Sequence, residues 1–384
     1  MTPLDIETIE LRVEIEKNVV TKVTSSGNRL RGYERAFVGK DPIELLRIIP
    51  RVLSTCSQSH VLAYAEAVAE PGNWEEASRI MAILEIVESH MKHPYAYWFP
   101  YLGGEEYSFP SGIKFRRINE ATRKVRTLME KVGGKWPSVG HLSPGAGVRF
   151  RLQDLIDVIK VFQEQTIGMD LDSFLELSDL EELRGDSALL NKVEPWRAGL
   201  KRYLVIGFPF RGDFSPHLIT DEGNTVTYSG QTVEVGPLAQ ALSVDPLIRK
   251  LHHMWGPSPL LRELSRLRIV AFLLRELRDV DLVSEGVKIR GGGVGGVESI
   301  RGSLIHIVDL GEKVRDYRIV QPTTFNASPG GALEKAVQGI PVNDPRSPWE
   351  ISLAVSSLDS CFVTQVEVFN EGKFVLSKRI GGFC

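Results

Sequence analysis

The stretch Val297-Glu-Ser-Ile-Arg301-Gly302-Ser-Leu-Ile-His306, followed after a short gap by Gln321-Pro-Thr-Thr-Phe-Asn-Ala-Ser328, decides how this chain is read. Residues 304–309 and 318–320 have the composition of extended chain, which puts Arg301 in a turn between strands. Just upstream, Gly291-Gly-Gly-Val-Gly-Gly296 reads as a flexible turn that brings backbone close to a buried centre. It has no phosphate-loop Lys-Ser/Thr and no helix at the right spacing, so nucleotide binding is set aside. Further upstream, Leu260, Leu264, Leu267, Leu274 and Leu277 form the broad apolar stripe of a helix over 260–277.

Apolar residues three or four apart also predict helices over 57–68, 80–91, 118–132, 152–165 and 333–338, with a helical approach from Pro42 to Pro50. Residues 203–208 and 226–235 look extended. At the front, residues 9–39 alternate in strand fashion. Leu11, Val13 and Ile15 share one face, Lys17-Asn18 supplies a turn, and a loop follows over 25–29. Helices with peripheral strands predict an α+β architecture. One domain is expected over 1–384, with a β region over about 5–40 and a helical core with peripheral strands from about 41 onward.

Of the 384 residues, 42% are hydrophobic and 25% charged, which is ordinary globular composition. A net charge of −3 with scattered Lys and Arg lacks the basic face that nucleic acid or an anionic membrane requires. No run reaches the roughly 18 apolar residues of a membrane span, and the first residues lack the regions of a signal peptide. The expectation is a cytoplasmic protein with no nucleic-acid partner and no direct membrane insertion.

Three cysteines, Cys56, Cys361 and Cys384, have no close spacing and suggest no disulfide framework. Cys56 falls at a predicted helix start, where free N–H groups and the helix dipole favour a thiolate. Two isolated cysteines at apolar element ends are equally compatible with inert core residues.

Motifs in the same order along nearly the whole chain resemble the large, catalytic subunit of nickel-iron hydrogenases. At the front these are Leu11-Arg-Val-Glu-Ile15, Val19-Val-Thr-Lys22, Ser26-Gly27 and Arg31-Gly-Tyr-Glu34 through Gly39-Lys-Asp-Pro42. Val233-Glu-Val-Gly-Pro-Leu238 follows, then the 297–306 and 321–328 blocks with Tyr317 and Ile319. The resemblance implies a helical-bundle core with peripheral strands and an N-terminal β-hairpin. It also implies a nickel and iron site held by one C-x-x-C pair near each end of the chain. Here Leu53 and Thr364 replace one cysteine of each pair, which leaves Cys56 and Cys361 as metal ligands.

Position by position, the resemblance assigns Glu34 to proton transfer and Arg301 to a guanidinium over the open metal position. It assigns His60 and Asp359 to the surrounding hydrogen-bonding shell. Each has a plainer alternative: a satisfied histidine for His60, an ion pair for Glu34, a surface charge for Arg301. Glu367 and Thr8 stand where the family has magnesium ligands, so the set for magnesium is broken.

Nickel would lose two of its four charged sulfurs, whereas iron already carrying cyanide and carbonyl ligands asks less of the protein. Three readings follow. The first is a maturation scaffold that carries such an iron centre and meets hydrogenase assembly chaperones. The second is an atypical catalytic subunit that oxidises hydrogen or reduces protons beside an iron-sulfur small subunit. The third is a metal-free structural or quinone-site subunit like the related respiratory complex subunit.

Overall fold

The computed structural model describes residues 8–27 and 33–381. Cys384, the Arg31-Gly32 half of the front motif and the end of the 25–29 loop lie outside the described residues.

Strand β1 (Thr8–Glu16) buries Ile9, Leu11, Val13 and Ile15 on one face and turns their neighbours outward. The period of two thus fixes its orientation. Lys17 and Asn18 both take left-handed backbone, with φ of 49° and 59°, and return the chain as β2 (Val19–Ser25). That turn matches the twist of the paired strands. Residues 34–36 form a 3-10 turn instead of continuing the strand pattern.

Helix α1 (Pro42–Val52) begins at Asp41, whose carboxylate accepts from the backbone N–H groups of Ile43 and Glu44 at 2.8 and 3.0 Å. Helices α2 (Ser57–Val68) and α3 (Trp74–Tyr97) follow, then α4 (Ile113–Gly133). Helix α5 (Pro259–Glu276) runs through the middle of the largest apolar cluster. Its leucine stripe is buried as expected, but its other face is buried too, and carries arginines. Arg262 grips Glu234 through two 2.8 Å hydrogen bonds, Arg266 pairs with Glu263 at 3.1 Å, and Arg268 pairs with Asp245 at 2.6 Å. An unpaired guanidinium here would be very costly, so each arginine fixes a partner on α5 or a neighbouring segment.

The antiparallel meander β3 (Gly293–Ser299), β4 (Gly302–Leu310) and β5 (Val314–Val320) packs on α2. The glycine run expected to be a turn is therefore largely a strand, and close approach is the reason for its composition. A Cβ on Gly295 would lie 2.1 Å from the Ala63 carbonyl oxygen, so only glycine lets β3 press onto α2.

Short helix α6 (Pro322–Ala327) leads towards the rear strands β6 (Val363–Asn370) and β7 (Lys373–Ile380). β6 inserts beside β1 in parallel, giving the order β7-β6-β1-β2. The two ends of the chain thereby share one sheet.

Other expectations need correction. Residues 203–208 form only an isolated bridge from Tyr203 to Glu234, and within 226–235 the strand covers just Thr225–Tyr228. The predicted 152–165 helix is a 3-10 turn, an α segment and a π segment that ends at Gly168. Helices Pro237–Val244, Pro246–Trp255 and Trp349–Ser356 were not anticipated, the last because it is apolar nearly all round and shows no periodicity. No helix among the described residues is long and apolar enough to cross a membrane.

Candidate functional site

Cys56 occupies the cap position of α2, but its side chain makes no capping hydrogen bond. Glu85, reaching across from α3, does that work. Its carboxylate accepts from the Gln58 and Ser59 N–H groups at 2.8 and 3.1 Å, and from the Ser59 hydroxyl at 2.7 Å. Burial pushes the Glu85 carboxyl up, and these donors pull it back. The expected reason for a Cys56 thiolate is thereby removed. The free N–H groups at the helix start are spent on another anion.

The rear cysteine is positioned by His93 and two arginines. His93 on α3 bonds Glu263 through Nδ1 and the Ser356 carbonyl through Nε2, each at 3.0 Å. Arg266 donates to the Ser357 carbonyl at 2.7 Å, and Arg301 donates to the Asp359 carbonyl at 2.6 Å. Asp359 itself adopts left-handed backbone, φ 47°, which turns the chain towards Cys361. Burial raises the Asp359 carboxyl, and its neighbours Arg301, His93 and Arg266 outweigh it to leave a net lowering. The Cys361 N–H then docks on the Thr323 hydroxyl of α6 at 3.0 Å.

These supports bring Cys56 and Cys361 together. Both are free thiols, Cys56 buried and Cys361 half-buried, and a hydrogen bond joins their side chains. Arg301, only 1% exposed, donates from Nη1 to the Cys56 sulfur at 3.2 Å. It is thus no surface charge. The bond from Cys56, offset by burial and assisted by Arg301, lowers Cys361 to about 6, while the same bond and burial push Cys56 well up. The guanidinium touches Cys56 although the lowered value falls on Cys361. Because the sulfurs share a proton, one low and one high step belong to the pair.

His60 stands one turn along α2, with Nδ1 2.9 Å from Nε2 of His306, whose Nδ1 lies 2.7 Å from the Tyr317 hydroxyl. Burial lowers His60 to about 3 and His306 well below its ordinary value, so both rings are neutral near pH 7. Glu34, half-buried, accepts from the Ile319 N–H at 3.0 Å, and the Tyr317 hydroxyl is raised chiefly by burial, with Tyr64 and Glu34 adding to it. Glu34 therefore stands by β5, beside the tyrosine end of this chain of rings. Glu85 is the residue that sequence reasoning missed. Its signal was a carboxylate inside the apolar stretch Ile83-Leu-Glu-Ile-Val87, facing a helix start without a capping side chain of its own.

The signature of the nickel-dependent hydrogenase family matches residues 276–366. Over 94% of its length the chain is 24% identical to the membrane-bound hydrogenase subunit alpha of Pyrococcus furiosus, covering 84% of that protein. It is also 24% identical to the hydrogenase expression/formation protein HupK of Rhizobium leguminosarum bv. viciae, covering 94% of this chain and 96% of that one. Its fold matches the reduced Ni-Fe-Se hydrogenase of D. vulgaris Hildenborough with a TM-score of 0.68 at 19% identity, covering 90% of this chain and 94% of that one. The chain is similar to nickel-iron hydrogenase large subunits along nearly its whole length and shares their fold.

Beside the four thiolates of those relatives' metal site, the donor set here is short. Among the described residues no three His, Cys, Asp or Glu side chains cluster to hold a metal ion, so a nickel ion requiring four thiolates does not fit. A smaller demand does fit. Two sulfurs lie together, and the segments that carry or dock Cys361 hold buried polar groups without a hydrogen bond. These are both amide atoms of Gln321, before α6, and the hydroxyl of Thr364, on β6. At the magnesium positions, Glu367 is exposed and faces Arg12 across the sheet, four residues along from the pairing of Thr8 with Val363. A cavity of about 460 Å³ opens between α3 and α4, passes Phe115, Lys92 and Glu88, and ends against Glu85, Ser57 and Asp359.

Proposed function

We propose that this protein is a maturation scaffold that holds an iron centre with cyanide and carbonyl ligands on Cys56 and Cys361 and passes it to a hydrogenase large subunit. The observation that carries this reading is the joined thiol pair, built from opposite ends of the chain and supported by Arg301, with two of the family's cysteines replaced. The likeness to HupK along nearly the full length of both proteins supports it.

Such an iron unit brings its own strong-field ligands and supplies the preassembled half of a hydrogenase centre. The chain's part is to bind and orient. Cys56 and Cys361 offer soft donors, and Arg301 and Gln321 offer N–H donors suited to an acceptor such as a cyanide nitrogen. Thr364 offers a neutral hydroxyl where a fourth thiolate would tighten binding, so the unit stays transferable. Hydrogenase assembly chaperones are the partners this reading implies.

Infrared spectroscopy on anaerobically purified protein tests it. Cyanide and carbonyl bands without stoichiometric nickel are expected, and Cys56→Ala and Cys361→Ala should each abolish them. Full bands in both variants, or tightly held nickel in the wild type, would remove the proposal. An atypical catalytic subunit would instead bind nickel stoichiometrically and reduce a dye with hydrogen.

A further inference from the structure

We infer that Cys56 and Cys361 form a reversible intramolecular disulfide when the protein meets a two-electron oxidant such as hydrogen peroxide, and that this bond closes the thiol site. The placement of the two thiols suffices for this bond, with no metal at the site.

Arg301 donates to the Cys56 sulfur at 3.2 Å and to the Asp359 carbonyl, two residues before Cys361, at 2.6 Å, which sets the two thiols side by side in hydrogen-bond contact; they come from separate elements, and neither is bonded to another cysteine. A disulfide needs two sulfurs at close range on backbones that cannot drift apart. Both backbones are fixed. Cys56 precedes α2, whose start is tied to Glu85 on α3, and the Cys361 N–H is tied to Thr323 on α6. Arg266 and Arg301 hold the backbone between Ser357 and Asp359.

Access differs between the two. Cys361 is half-buried, whereas Cys56 is 4% exposed. Cys361 is therefore the sulfur that the oxidant meets. Its thiolate attacks one peroxide oxygen, the O–O bond breaks, and with one proton the products are a sulfenic acid on Cys361 and water. The Cys56 sulfur then attacks the Cys361 sulfur, and the S–O bond breaks. The hydroxyl leaves as a second water with the Cys56 proton. Two thiols and one peroxide yield one disulfide and two waters, and the two electrons pass from sulfur to oxygen. Because the resolving thiol is already adjacent, disulfide formation outruns further oxidation of the sulfenic acid.

In the oxidised form neither sulfur is free to serve as a thiolate, so the protein would accept no soft metal until reduced. The site would then load only under reducing conditions, a property that neither sulfur would have alone.

The test uses full-length, metal-free protein treated with stoichiometric hydrogen peroxide and quenched with iodoacetamide. The expected result is a mass 2 Da below the fully reduced chain before alkylation, with two fewer alkylated thiols. A non-reducing peptide map should join the Cys56 and Cys361 peptides, and dithiothreitol should separate them. Cys384→Ser should behave as the wild type. In Cys56→Ser given two equivalents of peroxide, Cys361 should instead advance to the sulfinic acid, a gain of 32 Da.

Sulfinic acid at Cys361 in the wild type, two thiols still alkylatable after the peroxide is consumed, or a link to Cys384 would each overturn the inference. The wild-type map decides the matter even if the variants fold poorly. Infrared bands play no part in it, so this inference and the scaffold reading fail separately.

Discussion

Glu85 shows how one side chain sets the state of a site it does not belong to. Its carboxylate takes the N–H groups that would otherwise favour an anion at Cys56, and its charge raises the Cys56 thiol further. Glu85→Ala leaves the Gln58 and Ser59 N–H groups buried without partners, at a cost of roughly 1–3 kcal/mol each. The urea midpoint should fall and Cys56 should react faster with iodoacetamide under denaturant-free conditions. Unchanged alkylation would mean that Glu85 does not secure the start of α2. The pair Cys56 and Cys361 is legible in the sequence only through the resemblance to the two C-x-x-C motifs, since three widely spaced cysteines suggest no pairing by themselves. Glu85 is not, because nothing local says which helix start a carboxylate on another helix will meet.

The elements tell a similar story about what sequence can carry. The hairpin of β1 and β2 and the helix α2 follow from alternation, turn residues and apolar spacing, all local quantities. The glycine run at 291–296 misled because the same composition serves a turn and a strand pressed against a helix. Which applies depends on α2, more than two hundred residues away. Arg301 likewise read equally well as a surface charge, since its partners Asp359 and Cys56 are distant in sequence. Gly295→Ala tests the tight contact directly. With a Cβ 2.1 Å from the Ala63 oxygen, β3 and α2 must separate, and a loss of about 1–3 kcal/mol is expected from overpacking. Calorimetry should show a lower Tm, and His60, which projects from α2 to His306 on β4, should lose protection of its ring contact. A variant with wild-type Tm would show that the strand can slide away freely.

At the scale of the whole molecule, buried neutral histidines govern the response to acid. His60 is lowered to about 3 and His141 to about 4, both chiefly by burial, and His90 and His306 lie well below their ordinary value. Each is protonated more readily in the unfolded chain, so its contribution is complete above about pH 6.5 and is lost as pH falls towards the folded value. Glu298, raised to about 7 by burial, acts in the opposite sense, contributing below about pH 4.5 and losing that contribution as pH rises through 7. A difference between variants isolates one group. Between pH 6 and 4.5 the stability of His60→Asn should fall less steeply than that of the wild type, by about 1.4 kcal/mol per pH unit for the one proton removed. Urea midpoints at the two pH values provide the comparison. Identical slopes would show that His60 is not held neutral.

The parallel pairing of β1 with β6 has a consequence for biosynthesis. Translation proceeds at about 5–20 residues per second, so on the order of 15–60 s separates the emergence of Cys56 from that of Cys361. During that interval the nascent polypeptide has its hairpin and its leading helices but lacks the strand that completes the terminal sheet. The thiol pair therefore cannot assemble on the ribosome until Cys361 and β6 have left the exit tunnel, and a product stalled or clipped before Cys361 would carry only one thiol of the pair.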